Sequence, residues 1–429
     1  MATVPQHILV RDEQPIASER PLKFMMFPLG FLLAHVGRLV EIGKELRLRG
    51  HQVMFAGDWP RHERSRLDLA AKEGFPVLPM PEPDHPYAWD HFQKYGWPVT
   101  GLDLARLRRW APLDDILEAQ VELVRREKPD MLLCDASIST STTSYITGVP
   151  ATGVLNAYGL QLISPGSIFY PMIKAWDWAR LSRMRKRVYD RYEVTPRNAL
   201  ELLREMPLLS PDLEGLYKTP SEFWPNYHTV GPIVSEPCCE LPPWYDDLDD
   251  GTINVYITMG STGFLEGFLR QAYDALGKTP YRFIVTTAGQ VSEDTVRQAP
   301  DNFLLAKYAP GSKILEKCRA MIYHGGNGSM YQALAAGIPM IALPSHLEQE
   351  ICADLAIRHG YGLKLPARKV RGKRLVAMLE RLLNEPGFAQ AARRLSARVR
   401  EADGAVASAD FVEKIARRHA RSTRFLARP

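Results

Sequence analysis

The chain is poor in cysteine and has no long apolar run, and each shortage excludes a class of protein. Its five cysteines in 429 residues lack the close spacing of metal ligands, and the adjacent Cys238 and Cys239 are badly placed to bridge each other. We therefore expect no cysteine-bound metal, reduced thiols and a cytoplasmic location. The longest nearly apolar run, residues 24–36, is interrupted by Pro28 and His35 and is shorter than the roughly 18 to 20 residues of a membrane span. Peripheral contact with a membrane stays open.

Excess charge is also scarce, and two common phosphate-binding motifs are missing. The 54 Lys and Arg residues against 49 Asp and Glu give a net charge of +5, which does not indicate a nucleic-acid partner. There is no G-x-x-x-x-G-K-[ST], which argues against a P-loop kinase or ATPase. Gly326 and Gly328 begin a G-x-G-x-x-G pattern, but Tyr331 stands where the third glycine belongs. A nicotinamide-dependent dehydrogenase is therefore a weak alternative.

The sequence does contain two series of short apolar runs that alternate with helical patterns. The first series predicts parallel strands at residues 22–27, 52–56, 75–78, 131–134 and 149–155. The second series predicts strands at residues 253–258, 282–286, 303–306, 321–323 and 340–343. This alternation predicts an α/β fold of two facing Rossmann-like domains, with ligands bound in the cleft at the carboxyl ends of the strands.

A stretch rich in proline and acidic residues, 231–251, divides the two series and is the predicted linker. We expect a mobile tail over residues 1–20, a first domain over 21–230 and a second domain over 252–410. Within the first domain, residues 156–230 are aromatic and basic, and their pattern is helical without clean strands. The sequence after Gly372 predicts three helices, of which the last, residues 411–429, can pack back on the first domain.

The strongest local signal is a glycine-rich turn that follows the predicted strand 321–323. His324 heads this turn, and the backbone amides of residues 326–329 begin a helix. A helix N-terminus offers unpaired N–H groups and a positive dipole end, so it predicts an anion site to which His324 can donate a ring N–H. Three more polar loops, residues 260–263, 308–311 and 345–349, follow neighbouring strands and belong to the same sheet edge.

A histidine and an aspartate occupy the equivalent edge of the first domain. His35 lies between the first strand and a helix, and Asp135 follows the strand 131–134. A carboxylate that holds one ring nitrogen leaves the other nitrogen to act as a base, and it stabilises the imidazolium that forms. The pair facing a phosphate site across a cleft predicts general-base catalysis.

These residues carry a resemblance to a known family. Residues 324–349, HGGNGSMYQALAAGIPMIALPSHLEQ, resemble the sugar-nucleotide signature of family 1 glycosyltransferases of the GT-B fold, the macrolide, flavonoid and other small-molecule enzymes that use UDP- or TDP-sugars. Residues 34–57, AHVGRLVEIGKELRLRGHQVMFAG, resemble the N-terminal His-helix-strand unit of that family. Residues 308–310 resemble its Trp-x-Pro loop, with Tyr308 in the place of tryptophan, and residues 260–263 resemble its first donor loop.

The resemblance implies an inverting, metal-independent transfer of a hexose from a nucleotide sugar to a hydroxyl of an apolar natural product or lipid-like acceptor. UDP-glucose is the first expectation for the donor and a TDP-sugar the second, with no further cofactor. His35 would deprotonate the acceptor in the first, acceptor-binding domain, and Asp135 would be its partner. The second domain would bind the nucleotide sugar.

The donor-binding residues are likewise implied by the resemblance, position by position. The diphosphate would be held by His324, Gly326, Asn327, Gly328 and Ser329, with Ser261 and Thr262 touching a phosphate. Tyr308 would stack on the base and Ala309 bond its edge, while Glu348 and Gln349 would bond sugar hydroxyls. Two alternatives stay open, a sugar-nucleotide epimerase or hydrolase on the same scaffold and a nucleotide-sugar-binding protein without turnover.

Overall fold

The computed structural model describes most of the chain. The described residues are 20–30, 32–57, 65–81, 113–137, 139–184, 188–218, 222–236, 239–260, 265–345 and 347–426. The predicted tail lies outside these ranges except for Arg20, and Ser261 and Thr262 of the predicted donor loop lie outside them as well.

Seven parallel strands form the sheet of the first half, in the order β3-β2-β1-β4-β5-β6-β7. The central strands are buried almost throughout, as a parallel sheet covered by helices requires. The strands are β1 Lys23–Pro28, β2 Gln52–Gly57, β3 Val77–Pro79, β4 Met131–Asp135, β5 Ala151–Val154, β6 Leu208–Ser210 and β7 Tyr227–Thr229.

Six parallel strands form the sheet of the second half, in the order β10-β9-β8-β11-β12-β13. They are β8 Asn254–Thr258, β9 Arg282–Thr286, β10 Phe303–Ala306, β11 Ala320–Tyr323, β12 Met340–Ala342 and β13 Gly362–Lys364. Both sheets follow the Rossmann order, in which the first strand of each half lies beside the fourth, and β7 extends the first sheet at its edge. The predicted α/β fold with two Rossmann-like domains is confirmed.

Helices connect the strands and end the chain. The described α-helices are α1 Leu33–Leu48, α2 Asp68–Lys72, α3 Leu113–Glu127, α4 Thr140–Thr147, α5 Ala157–Leu162, α6 Tyr170–Met184, α7 Ala199–Glu205, α8 Leu265–Leu276, α9 Glu293–Arg297, α10 Gly311–Glu316, α11 Asn327–Ala336, α12 Leu347–Arg358, α13 Gly372–Asn384, α14 Pro386–Glu401 and α15 Gly404–Leu426. The prediction of three helices after Gly372 is confirmed. The stretch between β7 and β8 contains the proposed linker and a short 3-10 helix, Asp246–Asp249.

The prediction that residues 156–230 lack strands is wrong, because β6 and β7 lie in this stretch, and β13 was not predicted either. Each of these strands has three residues, so only one or two side chains point to each face. No periodicity can be read from so short a run. Hydrogen bonds to a neighbouring strand define these elements, with β6 pairing between β5 and β7.

The last helix, α15, returns to the first sheet. Ala409, Val412 and Ala416 of α15 are fully buried in the same cluster as Val36 and Leu39 of α1. Polar contacts flank this apolar seam, because Arg49 pairs with Asp410 at 2.6 Å and His51 Nε2 lies 3.2 Å from Glu413. The end of the chain is thereby packed against its first helix.

A stability measurement against pH tests the role of His51 in this contact. The His51 ring is buried, and its Nδ1 accepts the N–H of Leu22, so the neutral form fits the site. Burial lowers the pKa of His51 in spite of the nearby Glu413 carboxylate. The unfolded chain, with an ordinary value of about 6.5, therefore binds a proton that the folded chain does not, and stability is lost as the pH falls.

We expect the urea midpoint of unfolding to fall from about pH 7.5 to about pH 5.5, and to fall less in His51→Gln, whose amide oxygen can accept the N–H of Leu22 without titrating. Equal losses in the two proteins would show that His51 does not contribute to the pH dependence.

Candidate active site

Three of the predicted site residues, His35, Asp135 and His324, lie at the points where the strand order of each sheet reverses. In the first sheet, β1 and β4 are neighbours and their connections run to opposite sides, which opens a crevice at their carboxyl ends. His35 follows β1 and Asp135 ends β4. In the second sheet, β8 and β11 occupy the equivalent position, and His324 follows β11.

His35 and Asp135 are brought into direct contact. Pro28 of β1 pairs with Asp135 of β4, and α1 begins at Leu33, so His35 lies in the first turn above the strand end. His35 Nδ1 is 2.5 Å from Asp135 Oδ1; the carboxylate side chain has no exposed surface, while that of His35 is 17% exposed. An ionised carboxylate can only accept, so Nδ1 carries the hydrogen, and in the neutral ring the lone pair is on Nε2.

Arg38, one turn further along α1, completes this cluster and was missed from the sequence. Its Nε lies 2.8 Å from Asp135 Oδ2, and its Nη2 is 3.0 Å from Asp135 Oδ1. Burial disfavours the charge on the guanidinium, but the carboxylates of Asp135 and Asp212 keep the pKa of Arg38 above its ordinary value. Its spacing of three residues from His35 placed it on the same helix face, which was the available signal.

The predicted phosphate site has the geometry of a helix N-terminus. Gly326 is the N-cap of α11 and is extended, and the first backbone bond of the helix joins the N–H of Met330 to the carbonyl of Gly326. The amides of residues 327–329 therefore precede the first intrahelical bond. The His324 ring is packed against two glycines, because a Cβ built on Gly260 or Gly326 would lie 2.8 Å or 2.2 Å from a ring atom. This turn needs glycine at 326 for the ring to fit.

Tyr308 and Ala309 lie on the loop after β10. The Tyr308 side chain is 45% exposed although it is a large aromatic, and the Lys307 ammonium is 5.9 Å from its ring centroid. Ala309 is buried beneath it at 5% exposure. An exposed aromatic face above a fixed backbone can stack a nucleobase, which is the role predicted for Tyr308.

Glu348 and Gln349 are both engaged by protein groups. The Tyr158 hydroxyl of the first domain donates to Glu348 Oε1 across the cleft. Burial and the neighbouring Glu348 carboxylate raise the pKa of Tyr158 well above its ordinary value, so the phenol is the donor in this bond. Gln349 is only 2% exposed, and its amide oxygen accepts the N–H and the hydroxyl of Ser345 at 2.9 Å. Sugar binding by either residue stays a prediction.

Asp212, just after β6, is the residue of the candidate site that the sequence pattern least revealed. It is 2% exposed, and it accepts hydrogen bonds from Asn156 at 2.9 Å and from Asn327 at 3.1 Å. Asn156 belongs to the first half of the chain, whereas Asn327 begins α11 in the second half. Because β6 was not recognised as a strand, no pattern placed Asp212 at the end of one.

Known proteins share this architecture. Residues 270–407 match the family described as erythromycin biosynthesis protein CIII-like, C-terminal domain. The chain is 26% identical over 392 residues to a PGL/p-HBAD biosynthesis glycosyltransferase of Mycobacterium tuberculosis, with 85% of each chain covered. A PGL/p-HBAD biosynthesis rhamnosyltransferase of Mycobacterium bovis is 24% identical over 404 residues, covering 90% of this chain and 86% of the relative. The solved structure of glycosyltransferase VinC in complex with DTDP is similar at a TM-score of 0.71 and 16% identity, covering 92% of this chain and 99% of VinC.

The chain is a glycosyltransferase of the GT-B fold, similar to the family 1 enzymes. It depends on a nucleotide sugar and is of the natural-product or lipid-like type, so the enzyme class implied by residues 324–349 is confirmed. Among the described residues of this glycosyltransferase, no helix is long and apolar enough to cross a membrane. In the same part of the chain, no three His, Cys, Asp or Glu side chains form a cluster that could hold a metal ion.

A methyl group at position 326 tests whether the His324 ring belongs to the glycosyltransferase donor site. Gly326→Ala keeps an allowed backbone but places Cβ 2.2 Å from His324 Nε2, so the ring must move. We expect the dissociation constants of UDP and TDP, measured by calorimetry, to rise about tenfold, as the loss of one charge-assisted hydrogen bond would produce.

Gly387→Ala is the matched control, because Gly387 lies in the first turn of α14 and a Cβ there meets no atom within 4 Å. Diphosphate binding by Gly326→Ala at the wild-type level would remove His324 from the donor site.

Proposed function

We propose that this glycosyltransferase transfers a hexose, with inversion, from a UDP- or TDP-sugar to a hydroxyl of an apolar small molecule, and that His35 is the general base. One observation carries the proposal. His35 Nδ1 is hydrogen-bonded to the fully buried Asp135 carboxylate at 2.5 Å. This bond orients the ring and leaves Nε2 as the nitrogen that can take a proton from an acceptor hydroxyl.

The reaction then balances in one displacement. The acceptor oxygen forms a bond to the anomeric carbon while its proton passes to His35 Nε2. The bond between the anomeric carbon and the diphosphate oxygen breaks on the opposite face, and the electron pair leaves with the nucleoside diphosphate. Attack opposite to the leaving group inverts the anomeric configuration. Asp135 stabilises the imidazolium that results.

The leaving diphosphate requires compensation of its charge. In our proposal the amides of Asn327, Gly328 and Ser329 and the ring of His324 supply it, because they point from a helix N-terminus whose dipole is positive. Ser261 and Thr262, outside the described residues, are proposed to touch a phosphate. These groups give the leaving group its stabilisation without a metal ion.

The donor in the proposal is UDP-glucose or a TDP-sugar. The exposed ring of Tyr308 supports base stacking, and stacking alone does not distinguish uracil from thymine. VinC was solved in complex with DTDP, and one relative is named a rhamnosyltransferase, so TDP-sugars belong in the first donor panel. Ala309 is proposed to bond the base edge, and Glu348 and Gln349 the sugar.

The acceptor in the proposal is apolar. Leu33, in the same first turn of α1 as His35, exposes 39% of its surface, and such an exposed apolar side chain beside the base suits a greasy acceptor. The relatives named for PGL/p-HBAD biosynthesis support a lipid-like or phenol-derived acceptor panel.

Our proposal includes a cytoplasmic location, since the buried Cys134, Cys318 and Cys352 form no disulfide.

Kinetics of a base variant test the mechanism. For His35→Ala we expect kcat to fall about 100- to 10,000-fold, because the acceptor hydroxyl loses its proton acceptor. We expect binding of UDP and TDP to stay within about twofold of wild type, since His35→Ala leaves the hydrogen bonds from Arg38 through Asn156 to Asp212 in place. For the wild-type enzyme, we expect NMR to show a β linkage in the product made from an α-linked donor, as inversion requires.

His228→Ala removes an exposed histidine of β7 and serves as the control, with kcat expected near the wild-type value. Turnover by His35→Ala at the wild-type rate would exclude His35 as the base, and an α-linked product would exclude inversion.

A second variant tests the contact between Tyr158 and Glu348. Because the Tyr158 hydroxyl occupies Oε1, Glu348 keeps one oxygen for a sugar hydroxyl. Tyr158→Phe releases Oε1, so we expect the ratio of kcat/KM for UDP-glucose to that for TDP-rhamnose to rise about 3- to 10-fold, the effect of about one extra hydrogen bond.

Tyr145→Phe is the control, since that hydroxyl bonds only the carbonyl of Thr195 among the described contacts and lies on α4, away from the second domain. An unchanged ratio in Tyr158→Phe would show that Glu348 does not read the sugar through this oxygen.

A further inference from the structure

Five donors converge on the buried carboxylate of Asp212. Besides the amides of Asn156 and Asn327, it accepts the N–H of Ala157 and the hydroxyl of Ser210, both at 2.7 Å, and the hydroxyl of Tyr331 at 3.4 Å. The donors at positions 156, 157 and 210 belong to the first half of the chain, whereas those at 327 and 331 belong to α11. One carboxylate is therefore bonded by both halves of the chain.

The same carboxylate belongs to a continuous chain of polar contacts that starts at the proposed base. Asp135 bonds Arg38, and Arg38 Nη1 donates to Asn156 Oδ1 at 2.6 Å. Asn156 Nδ2 then donates to Asp212, and Asp212 accepts Asn327 Nδ2. The direction of each bond is fixed, because a guanidinium can only donate and a carboxylate can only accept.

Apolar packing makes this connection stiff. Leu213, Leu216 and Tyr217, which directly follow Asp212, are buried in the hydrophobic cluster of the second domain. The Tyr217 hydroxyl donates to Asn327 Oδ1 at 2.8 Å, and the N–H of Leu213 donates to the Tyr331 hydroxyl at 2.8 Å. A shift of α11 therefore changes the position of Asp212, and a shift of Asp212 changes the position of Arg38.

We propose that Asp212 is a positioning residue that couples the His35–Asp135 pair to the N-terminus of α11, so that the base and the leaving-group site hold one fixed relation. The inference rests on the proposed function of both sites. Asp212 acts through Asn156 and Arg38 on one side and through Asn327 on the other, and it touches no reacting atom.

The contacts along the chain tie the coupling to the base. Arg38 contacts both oxygens of the Asp135 carboxylate that orients the His35 ring, and its Nη1 donates to Asn156. When α11 no longer holds Asp212 in place, Asn156 and Arg38 can shift, and the His35 ring shifts with them. A base that is less firmly positioned takes the acceptor proton less efficiently, so kcat falls.

Two variants at opposite ends of the chain test the coupling, each measured at the site it does not touch. Asn156→Ala removes a first-domain donor, and we expect the dissociation constants of UDP and TDP to rise about 5- to 50-fold. Asn327→Ala removes the side chain but keeps the backbone N–H. We expect its kcat at saturating donor to fall about 5- to 50-fold, while the KM for the acceptor stays within about twofold of wild type.

Ser210→Ala is the control, because it removes one donor from Asp212 and leaves both links of the chain in place. We expect its dissociation constants for UDP and TDP and its kcat to stay within about twofold of the wild-type values, because Ser210 is not one of the links between the two sites. In the double variant Asn156→Ala/Asn327→Ala, the effect on nucleotide binding should be smaller than the product of the single effects.

Wild-type nucleotide binding by Asn156→Ala, or a wild-type kcat in Asn327→Ala, would overturn the proposal. Failure of the proposed function gives a different result. If His35 is not the base, His35→Ala turns over normally, whereas the effect of Asn156→Ala on UDP and TDP binding does not depend on any transfer.

Discussion

The proposed active site of this glycosyltransferase depends on a negative charge that is fully buried. Asp135 is fully buried at the end of β4, and removing one partner of such a buried pair typically costs about 3 to 5 kcal/mol. His35 and Arg38, both on α1, supply the partners. The beginning of α1, the end of β4 and the orientation of the imidazole are therefore determined together, and the geometry of the base follows from the need to compensate one carboxylate.

In the second half of the proposed site, the charge to be compensated is that of the diphosphate, and backbone groups rather than charged side chains compensate it. In the proposed donor site a helix N-terminus supplies fixed N–H groups for a diphosphate, and the His324 ring reaches that position only because residues 260 and 326 have no Cβ. Asp212 and Asn327 join the two halves directly by a hydrogen bond, so their relation is set by buried polar contacts as well as by apolar packing.

Sequence reasoning succeeded where a pattern was long or a strand end was clear. The runs at β1, β4, β8 and β11 have four to six residues and are almost wholly apolar, so both sheets and their central strands were predictable. Three-residue strands were not, because β6, β7 and β13 are defined by pairing with a neighbour. The contact between His35 and Asp135 followed from two neighbouring strand ends, whereas the position of Asp212 depended on the unrecognised β6.

The sequence by itself determined the two α/β halves, the glycine turn after β11 and the residues His35, Asp135 and His324, because these depend on local periodicity and on the polarity of strand ends. The tertiary structure alone decided which side chains contact one another over long distances in the chain. Arg38 on Asp135, Tyr158 on Glu348, and Asp212 between Asn156 and Asn327 join positions 97, 190, 56 and 115 residues apart. Burial and close packing bring such partners together. A local sequence pattern cannot predict a contact between residues so far apart in the chain.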